Sequence, residues 1–165
     1  MVEIVELDKH LIKKAEKLVF EVFPSMDLIE KLSFWAYKYR GKRPVKILMR
    51  LSGVFSLIKY CAAINENGDV CGTTGLYQYT KDRHEAVWLA WFCVDPQQRG
   101  IGIGKKLIEY SINEARKYNK KYFRLYTSTD PNEAAAQNLY EKYGFRIKNQ
   151  KGTLTYTKIF RELEL

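Results

Sequence analysis

A glycine-rich stretch at residues 94–107 joins two segments of different hydrophobic periodicity and so limits the folds open to this chain. Before it, residues 86–94 form an apolar, aromatic-rich run that is typical of a buried strand. Pro96 ends that strand, because proline has no N–H to donate to a ladder. The order strand, glycine-rich turn, helix is therefore predicted. The helix is indicated by small and apolar residues at helical spacing: Leu107, Ser111, Ala115 and Tyr118.

Three alternating glycines, Gly100, Gly102 and Gly104, lie in the turn. Because they have no Cβ, their backbone can approach a ligand closely. The N–H groups of such a turn and of the helix start behind it form a site for an anion, most naturally a phosphate. A net charge of +9 and a calculated pI of about 9.4 suit an anionic ligand.

Two common phosphate-binding motifs do not fit these glycines. A Walker A loop needs a glycine and a hydroxyl residue where Arg99 and Lys106 stand. A dinucleotide-binding fingerprint needs a glycine where either Lys105 or Leu107 stands. The pattern that fits is Arg-x-x-Gly-x-Gly, which runs from Arg99 to Gly104.

This pattern resembles the acetyl-coenzyme A (acetyl-CoA) signature of the GNAT acetyltransferase superfamily. Two further segments are similar to that family, in the same order and at the same separation. Residues 88–96 look like its central strand, and residues 139–145 look like its later helix and the strand after it. The resemblance covers about residues 60–160. It implies one domain over residues 1–165 with a mixed α/β (α+β) fold, in which helices cover both faces of a mostly antiparallel central sheet.

The resemblance also implies acetyl-CoA as the cofactor and the residues that hold it. Backbone groups of Phe92, Cys93 and Val94 are expected to pair with the pantetheine amides. Many family members carry an asparagine that contacts the pantetheine, and this chain departs from them with Glu133 at that position and Asn132 one step early. The pyrophosphate is expected on the backbone N–H groups of the turn, with added charge from a lysine: Arg99, Gly100, Ile101, Gly102, Ile103, Gly104 and Lys105.

The reaction that the resemblance implies is acetyl transfer to a primary amine, which attacks the thioester directly without an enzyme nucleophile. Catalysis then requires positioning of two reactants, loss of an amine proton and protonation of the leaving thiolate. Tyr140 matches the tyrosine that many family members use as the thiolate acid, and a phenol is neutral at pH 7. Its alternative role is that of a core aromatic.

A general base is expected at Glu85, which stands just before the central strand. Many family members keep a glutamate in this region that acts through water, whereas the alternative for Glu85 is an exposed carboxylate at a strand end. A nucleophile pair of Cys93 and His84 is disfavoured, because the motif assigns the Cys93 segment to backbone pairing. Further acid–base candidates are Asp82, His84, Glu21, Asp27 and Glu30.

Three classes of function compete at this point. The first is an N-acetyltransferase acting on a small amine, such as a polyamine, an amino-acid derivative or an antibiotic, or on a peptide amine. The second is a non-catalytic module that binds or senses acyl-CoA, which would need no acid such as Tyr140. The third, a basic nucleic-acid-binding domain, has no RNP or KH motif in its favour. The expected partners are therefore acetyl-CoA and an amine, with no specific nucleic acid and no membrane, and a homodimer stays open.

Cysteine spacing and hydropathy favour a cytoplasmic protein. The three cysteines, Cys61, Cys71 and Cys93, form no Cys-x-x-Cys pair, which disfavours a structural zinc site and a disulfide framework. Residues 1–6 lack the basic and apolar regions of a signal peptide. The apolar window at residues 51–58 is too short to cross a bilayer.

The spacing of apolar residues also predicts secondary structure in the N-terminal part of the chain, before the segments that resemble the family. Residues 2–7 are predicted as a strand. A helix is predicted to follow, capped by Asp8 and ending near Pro24, with one apolar face made by Leu11, Ala15, Leu18, Val19 and Val22. Residues 45–58 are ambiguous but favour a helix that walls the acceptor side, with a membrane-surface helix as the alternative. A second helix is expected to be capped by Ser25 and to bury Leu28, Ile29, Leu32 and Trp35.

The other segments follow from turn chemistry. Residues 60–64 and 70–77 are predicted as a hairpin around Asn67-Gly68, in a register that places Cys61 opposite Thr74. A helix is predicted from Asp130-Pro131 to about residue 143. Strands are predicted at residues 122–127, 145–148 and 154–159.

Overall fold

A mixed seven-stranded sheet forms the centre of the computed structural model, which describes residues 2–24, 26, 28–153 and 156–165. The expectations for Ser25, Asp27, the start of the last strand at Leu154 and the side chain of Ile29 concern parts outside this description. The strands are β1 (Glu3–Glu6), β2 (Val54–Ile64), β3 (Val70–Tyr79), β4 (Ala86–Val94), β5 (Tyr122–Ser128), β6 (Arg146–Gly152) and β7 (Thr157–Glu164).

The strand order is β1-β2-β3-β4-β5-β7-β6, and every neighbouring pair is antiparallel except β4 and β5, which run parallel. Short turns join the antiparallel hairpins, whereas the parallel pair needs a crossover, and a helix supplies it. The helices are α1 (Leu11–Val22), α2 (Leu28–Lys31), α3 (Ser33–Lys38), α4 (Arg43–Leu51), α5 (Ile103–Arg116) and α6 (Ala134–Lys142).

Helices cover both faces of the sheet, as predicted. Residues of α1, α3 and α4 share one apolar cluster with side chains of β2, β3 and β4. Residues of α5 and α6 share a second cluster with the opposite faces of β4 and β5. The side chains of β4 therefore alternate between two buried environments, with Trp88 in the first cluster and Val87 and Leu89 in the second. Within the described residues, no helix is both long and apolar enough to span a membrane.

The first helix forms as its sequence predicts. The Asp8 carboxylate accepts hydrogen bonds from the backbone N–H groups of His10 and Leu11, both at 2.8 Å, and so satisfies donors that a helix start leaves free. Its buried residues, Ile12, Ala15, Leu18, Val19 and Val22, follow helical spacing.

The expectation for the second helix is wrong, because two short helices replace it and turn a different face inward. Leu28, Leu32 and Trp35 are 73%, 42% and 42% exposed. Phe34 and Tyr37 are buried instead. Tyr37 stacks on Tyr60 of β2 with ring centroids 4.4 Å apart, and this contact fixes which side of α3 meets the sheet.

The helix expected over residues 45–58 is also too long. It ends at Leu51, and β2 begins at Val54 after a turn in which Gly53 has a φ of +84°. Residues 54–58 form a strand because they pair with β3, starting from Val54 opposite Tyr79. The hairpin register is confirmed, with Cys61 opposite Thr74.

The parallel ladder between β4 and β5 is short. It consists of Ala86, Val87 and Trp88 paired with Tyr122, Phe123 and Arg124. No further pair joins the two strands in the described part of the chain, although β4 continues to Val94 and β5 to Ser128. The sheet therefore opens between their carboxyl ends, which is where the glycine-rich turn begins.

We expect Gly72→Ala to destabilise the fold by about 1–3 kcal/mol, because it inserts a methyl group into a closed contact. A Cβ on Gly72 would lie 2.8 Å from the carbonyl oxygen of Cys93 and 2.9 Å from a methyl carbon of Leu107. Gly152→Ala is the control, since a Cβ there meets nothing within 4 Å. Denaturant unfolding measures both variants, and equal stabilities would contradict the described packing of α5 on β3.

Candidate active site

The glycine-rich turn is held by its own polar groups. The Asp95 carboxylate accepts from the N–H of Gln97 at 2.9 Å, which fixes a single helical turn at Pro96–Gln98. Arg99 Nε then donates to the carbonyl oxygen of Val94 at 3.3 Å. Gly100 and Gly102 have φ angles of +83° and +89°, a conformation that side chains disfavour, and they turn the chain into α5.

A cavity of about 160 Å³ lies against this turn. Two of the predicted cofactor residues are not part of its wall. Ile101 is 72% exposed, and Lys105 extends toward Glu109, with Nζ 4.0 Å from Oε1. The wall contains the other predicted cofactor residues: Phe92, Cys93, Val94, Arg99, Gly100, Gly102, Ile103, Gly104 and Glu133.

A β-bulge shapes the end of β4. The register between β3 and β4 shifts after Thr73, and Trp91 adopts a φ of +48°, which is unusual for a residue with a large side chain. The buried Thr73 hydroxyl donates to the carbonyl oxygen of Trp91 at 2.5 Å. This bond holds the bulge in place, so the backbone of residues 92–94 borders the opening between β4 and β5.

Tyr140 lies on α6 where the first cavity meets a larger one of about 290 Å³. Its ring packs against Phe92 and Phe145, with centroids 5.6 and 5.8 Å away. Burial raises the pKa of the Tyr140 phenol well above its usual value, and the negative charge of Glu133 adds to this. Tyr140 is therefore a neutral hydrogen-bond donor placed between two cavities.

The larger cavity is lined by aromatic rings and by more acidic than basic side chains. Its charged groups are Glu30, Asp130, Glu133 and Lys158. The Glu30 carboxylate accepts a hydrogen bond from the hydroxyl of Tyr126 at 3.0 Å. The rings on its wall are those of Phe23, Tyr60, Tyr77, Tyr79, Trp91, Phe92, Tyr126, Tyr140 and Tyr156.

Glu133, the departure from the family pattern, has its carboxylate engaged by β5. It accepts from the hydroxyl of Thr127 at 2.6 Å and from both the N–H and the hydroxyl of Ser128, at 3.1 and 2.6 Å. Gln137 supports the arrangement by donating to the Thr127 hydroxyl at 3.1 Å. Glu133 thus fastens the start of α6 to the carboxyl end of β5, beside Tyr140.

The structure does not bring Glu85 together with Tyr140. Arg124 Nη1 donates to the Glu85 carboxylate at 2.7 Å and to Asp82 at 2.8 Å, at the closed end of the β4–β5 ladder. Neither acid is part of either cavity wall, because this ion pair lies at the start of β4 and the cavities lie at its end.

Two of the remaining acid–base candidates, His84 and Glu21, also lie outside both cavity walls. His84 is exposed in the loop before β4, and Glu21 lies 3.8 Å from Lys17 on the surface of α1. Glu30 is the one described alternative that lies in a cavity wall. Tyr126 and Thr73, which also shape the site, were not predicted from the sequence.

Cys93 does not have the properties of a nucleophile. Its Sγ lies 3.2 Å from the Thr73 hydroxyl, and burial raises the pKa of the thiol to about 11. The thiolate is the reactive form of cysteine, so a buried thiol with a raised pKa is inert at neutral pH.

Comparisons with known proteins identify the class. The chain belongs to the GNAT acetyltransferase family, whose domain model matches residues 58–147. It is 34% identical over 88 residues to the spermine/spermidine N(1)-acetyltransferase of Bacillus subtilis (strain 168), a match that covers 50% of this chain and 57% of the relative. A probable spermine N(1)-acetyltransferase of Bacillus subtilis subsp. natto matches at the same identity and coverage. The chain thus spans little more than half the length of these curated relatives.

Solved structures share the whole fold. A GNAT-family acetyltransferase from Staphylococcus aureus Mu50 matches 100% of this chain and 99% of its own, with a TM-score of 0.72 and 19% identity. The yncA protein of Salmonella typhimurium, solved with its cofactor acetyl-CoA, matches 100% of this chain and 94% of its own, with a TM-score of 0.69 and 20% identity. At these identities the likeness establishes the fold.

We expect all three cysteines to resist thiol reagents in the folded protein, because all are buried and burial raises the pKa of each thiol. A raised pKa keeps the thiol protonated, so reactivity appears only as the pH approaches about 11 for Cys93, or on unfolding. Titration with Ellman's reagent near pH ~8, with and without guanidinium chloride, measures this. Fast labelling of native Cys93 would contradict the described burial.

Proposed function

We propose that this chain is an acetyl-CoA-dependent N-acetyltransferase that acts on a primary amine. The proposal rests on the arrangement of the two cavities. The opening between β4 and β5 leads from the glycine-rich turn to a second, acid-lined cavity, and Tyr140 lies where the two meet. A two-substrate transfer needs such an arrangement, with one binding place on each side of a proton donor.

The residues of the smaller cavity fit the chemistry of coenzyme A. The backbone of Gly100 and Gly102 at the start of α5 suits a pyrophosphate, since the first N–H groups of a helix have no partner within the helix. In the described part of the chain β5 does not pair with residues 92–94 of β4, so this edge can pair with the amides of an extended pantetheine chain, with the Val94 carbonyl already accepting from Arg99. Bound there, acetyl-CoA supplies an acetyl group activated as a thioester.

In the transfer, a bond forms between the amine nitrogen and the acetyl carbon, and the carbon–sulfur bond breaks. A free alkylamine has a pKa near ~10.4, so it loses a proton before attack, and we assign that proton to water in the open cavity. Tyr140 donates its phenolic proton to the departing sulfur, and the second proton that the nitrogen loses as the amide forms restores the phenol through water in the cavity. The raised pKa of Tyr140 keeps the phenolic proton in place throughout the neutral range.

We further propose that the acceptor is a polyamine. The larger cavity places Glu30, Asp130 and Glu133 against one lysine, Lys158, so its wall favours a cation. Its aromatic rings suit the methylene spacers of such a chain and attract ammonium groups. The names of the curated Bacillus relatives support the same class of acceptor.

Tyr140→Phe tests the acid directly. We expect kcat to fall about 100-fold, because the thiolate then leaves without a proton donor, while the affinity for acetyl-CoA is retained. Thiol release from acetyl-CoA over a panel of amines measures kcat, and calorimetry measures binding.

Tyr143→Phe is the matched control for this variant. Tyr143 follows α6, and its half-buried side chain donates to Glu109 of α5 at 2.6 Å, outside both cavity walls. An equal loss in both variants would contradict the role of Tyr140. Tight acetyl-CoA binding without turnover on any amine would instead favour the non-catalytic binding module.

A further inference from the structure

We propose that Glu30 and Tyr126 form a subsite for a second ammonium group of the acceptor, so that the site selects diamines and polyamines over monoamines. The inference rests on the proposed function and assigns its acceptor specificity to one pair of residues. Nothing in the sequence motifs points to this pair, since the two residues are 96 positions apart.

The pair lies on the acceptor side of the site. Glu30 comes from α2 and Tyr126 from the part of β5 beyond its ladder with β4, and their side chains meet at 3.0 Å in the larger cavity wall. Neither residue is part of the smaller cavity wall, whereas Tyr140 and Glu133 belong to both. An ammonium bound at Glu30 is therefore separate from the amine that reacts beside Tyr140.

The electrostatics of the pair favour a cation. Burial, followed by the negative charge of Glu30, raises the pKa of Tyr126 well above its usual value. Tyr126 thus stays a neutral donor that orients the carboxylate without cancelling its charge. Lys158 is the nearby positive group, with Nζ 4.8 Å from the centroid of the Tyr126 ring. With Glu133 and Asp130 also in the wall, the acidic side chains of this cavity outnumber its basic ones.

Aromatic surfaces connect the subsite to the reacting end. Phe23, Tyr79 and Trp91 line the same cavity, and the rings of Phe23 and Trp91 lie 6.4 Å apart. Methylene groups pack on such rings, and an ammonium is attracted to their faces when it lies within about 6 Å. A monoamine can use the rings and the reacting end, but only an acceptor with a second positive group gains from Glu30.

Two amines with the same carbon chain separate these contributions. Steady-state kinetics with 1-aminobutane and 1,4-diaminobutane are compared in the wild type, Glu30→Gln and Tyr126→Phe. For Glu30→Gln we expect KM for the diamine to rise about tenfold, the loss typical of one charge-assisted hydrogen bond, with kcat retained. KM for the monoamine should rise much less, because its one ammonium group is the group that reacts, and KM for acetyl-CoA should not change. Tyr126→Phe should raise KM for the diamine less, because the carboxylate remains.

Glu21→Gln is the matched control, an exposed glutamate of α1 outside both cavity walls, and it should behave as the wild type. An equal rise in KM for both amines in Glu30→Gln would overturn the subsite, since Glu30 would then act on the reacting amine or on the fold. A fall in kcat for both amines would do the same and would point to a base.

Direct binding distinguishes failure of the subsite from failure of the proposed activity. Calorimetry of 1,4-diaminobutane with the CoA-saturated chain should show binding that Glu30→Gln weakens about tenfold. If the wild type turns over no amine but binds the diamine through Glu30, the activity fails and the subsite stands. If the wild type does not bind the diamine, the subsite is overturned.

Discussion

The parallel ladder between β4 and β5 ends at Trp88 and Arg124, and the candidate site depends on that end. The closed side is locked by charge: buried Arg124 donates to Asp82, Glu85 and Glu162, and the Trp88 indole donates to Asp82. At the open side the carboxylate of Glu133 binds the end of β5 instead. The opening is thus fixed at both ends, so two unpaired strand edges persist inside an otherwise complete sheet.

The rest of the site is arranged around this opening. The glycine-rich turn follows β4, the Trp91 bulge is held by Thr73, and Tyr140 closes the junction between the two cavities. Tyr140 and Cys93 both have a pKa raised by burial, so both stay protonated, but only Tyr140 lies at the junction. Burial therefore keeps both groups protonated, and the phenol is the proposed proton donor because of the two it alone lies at the junction.

The parts of the fold that could be predicted from the sequence are those set by interactions between residues close together in the chain. The β4–turn–α5 unit, the Asn67-Gly68 hairpin and its register, and the Asp8 cap follow from proline, glycine and hydrogen-bonding side chains that act within a few residues. What depends on distant partners was not predictable. Residues 54–58 become strand through pairing with β3, and stacking on Tyr60 sets the inward face of α3. Glu85 was predicted as a base because its ion-pair partner, Arg124, lies 39 positions away and cannot be recognised from the local sequence.

The proposed binding site of acetyl-CoA is the opening between β4 and β5 together with the glycine-rich turn. Hydrogen–deuterium exchange of the full chain, with and without acetyl-CoA, tests it at the level of backbone amides. The expected result is slower exchange in peptides that cover residues 92–94 and 99–105, with no change in α4 at Arg43–Leu51. Unchanged exchange in both peptides at a saturating cofactor concentration, or protection confined to other elements, would contradict it.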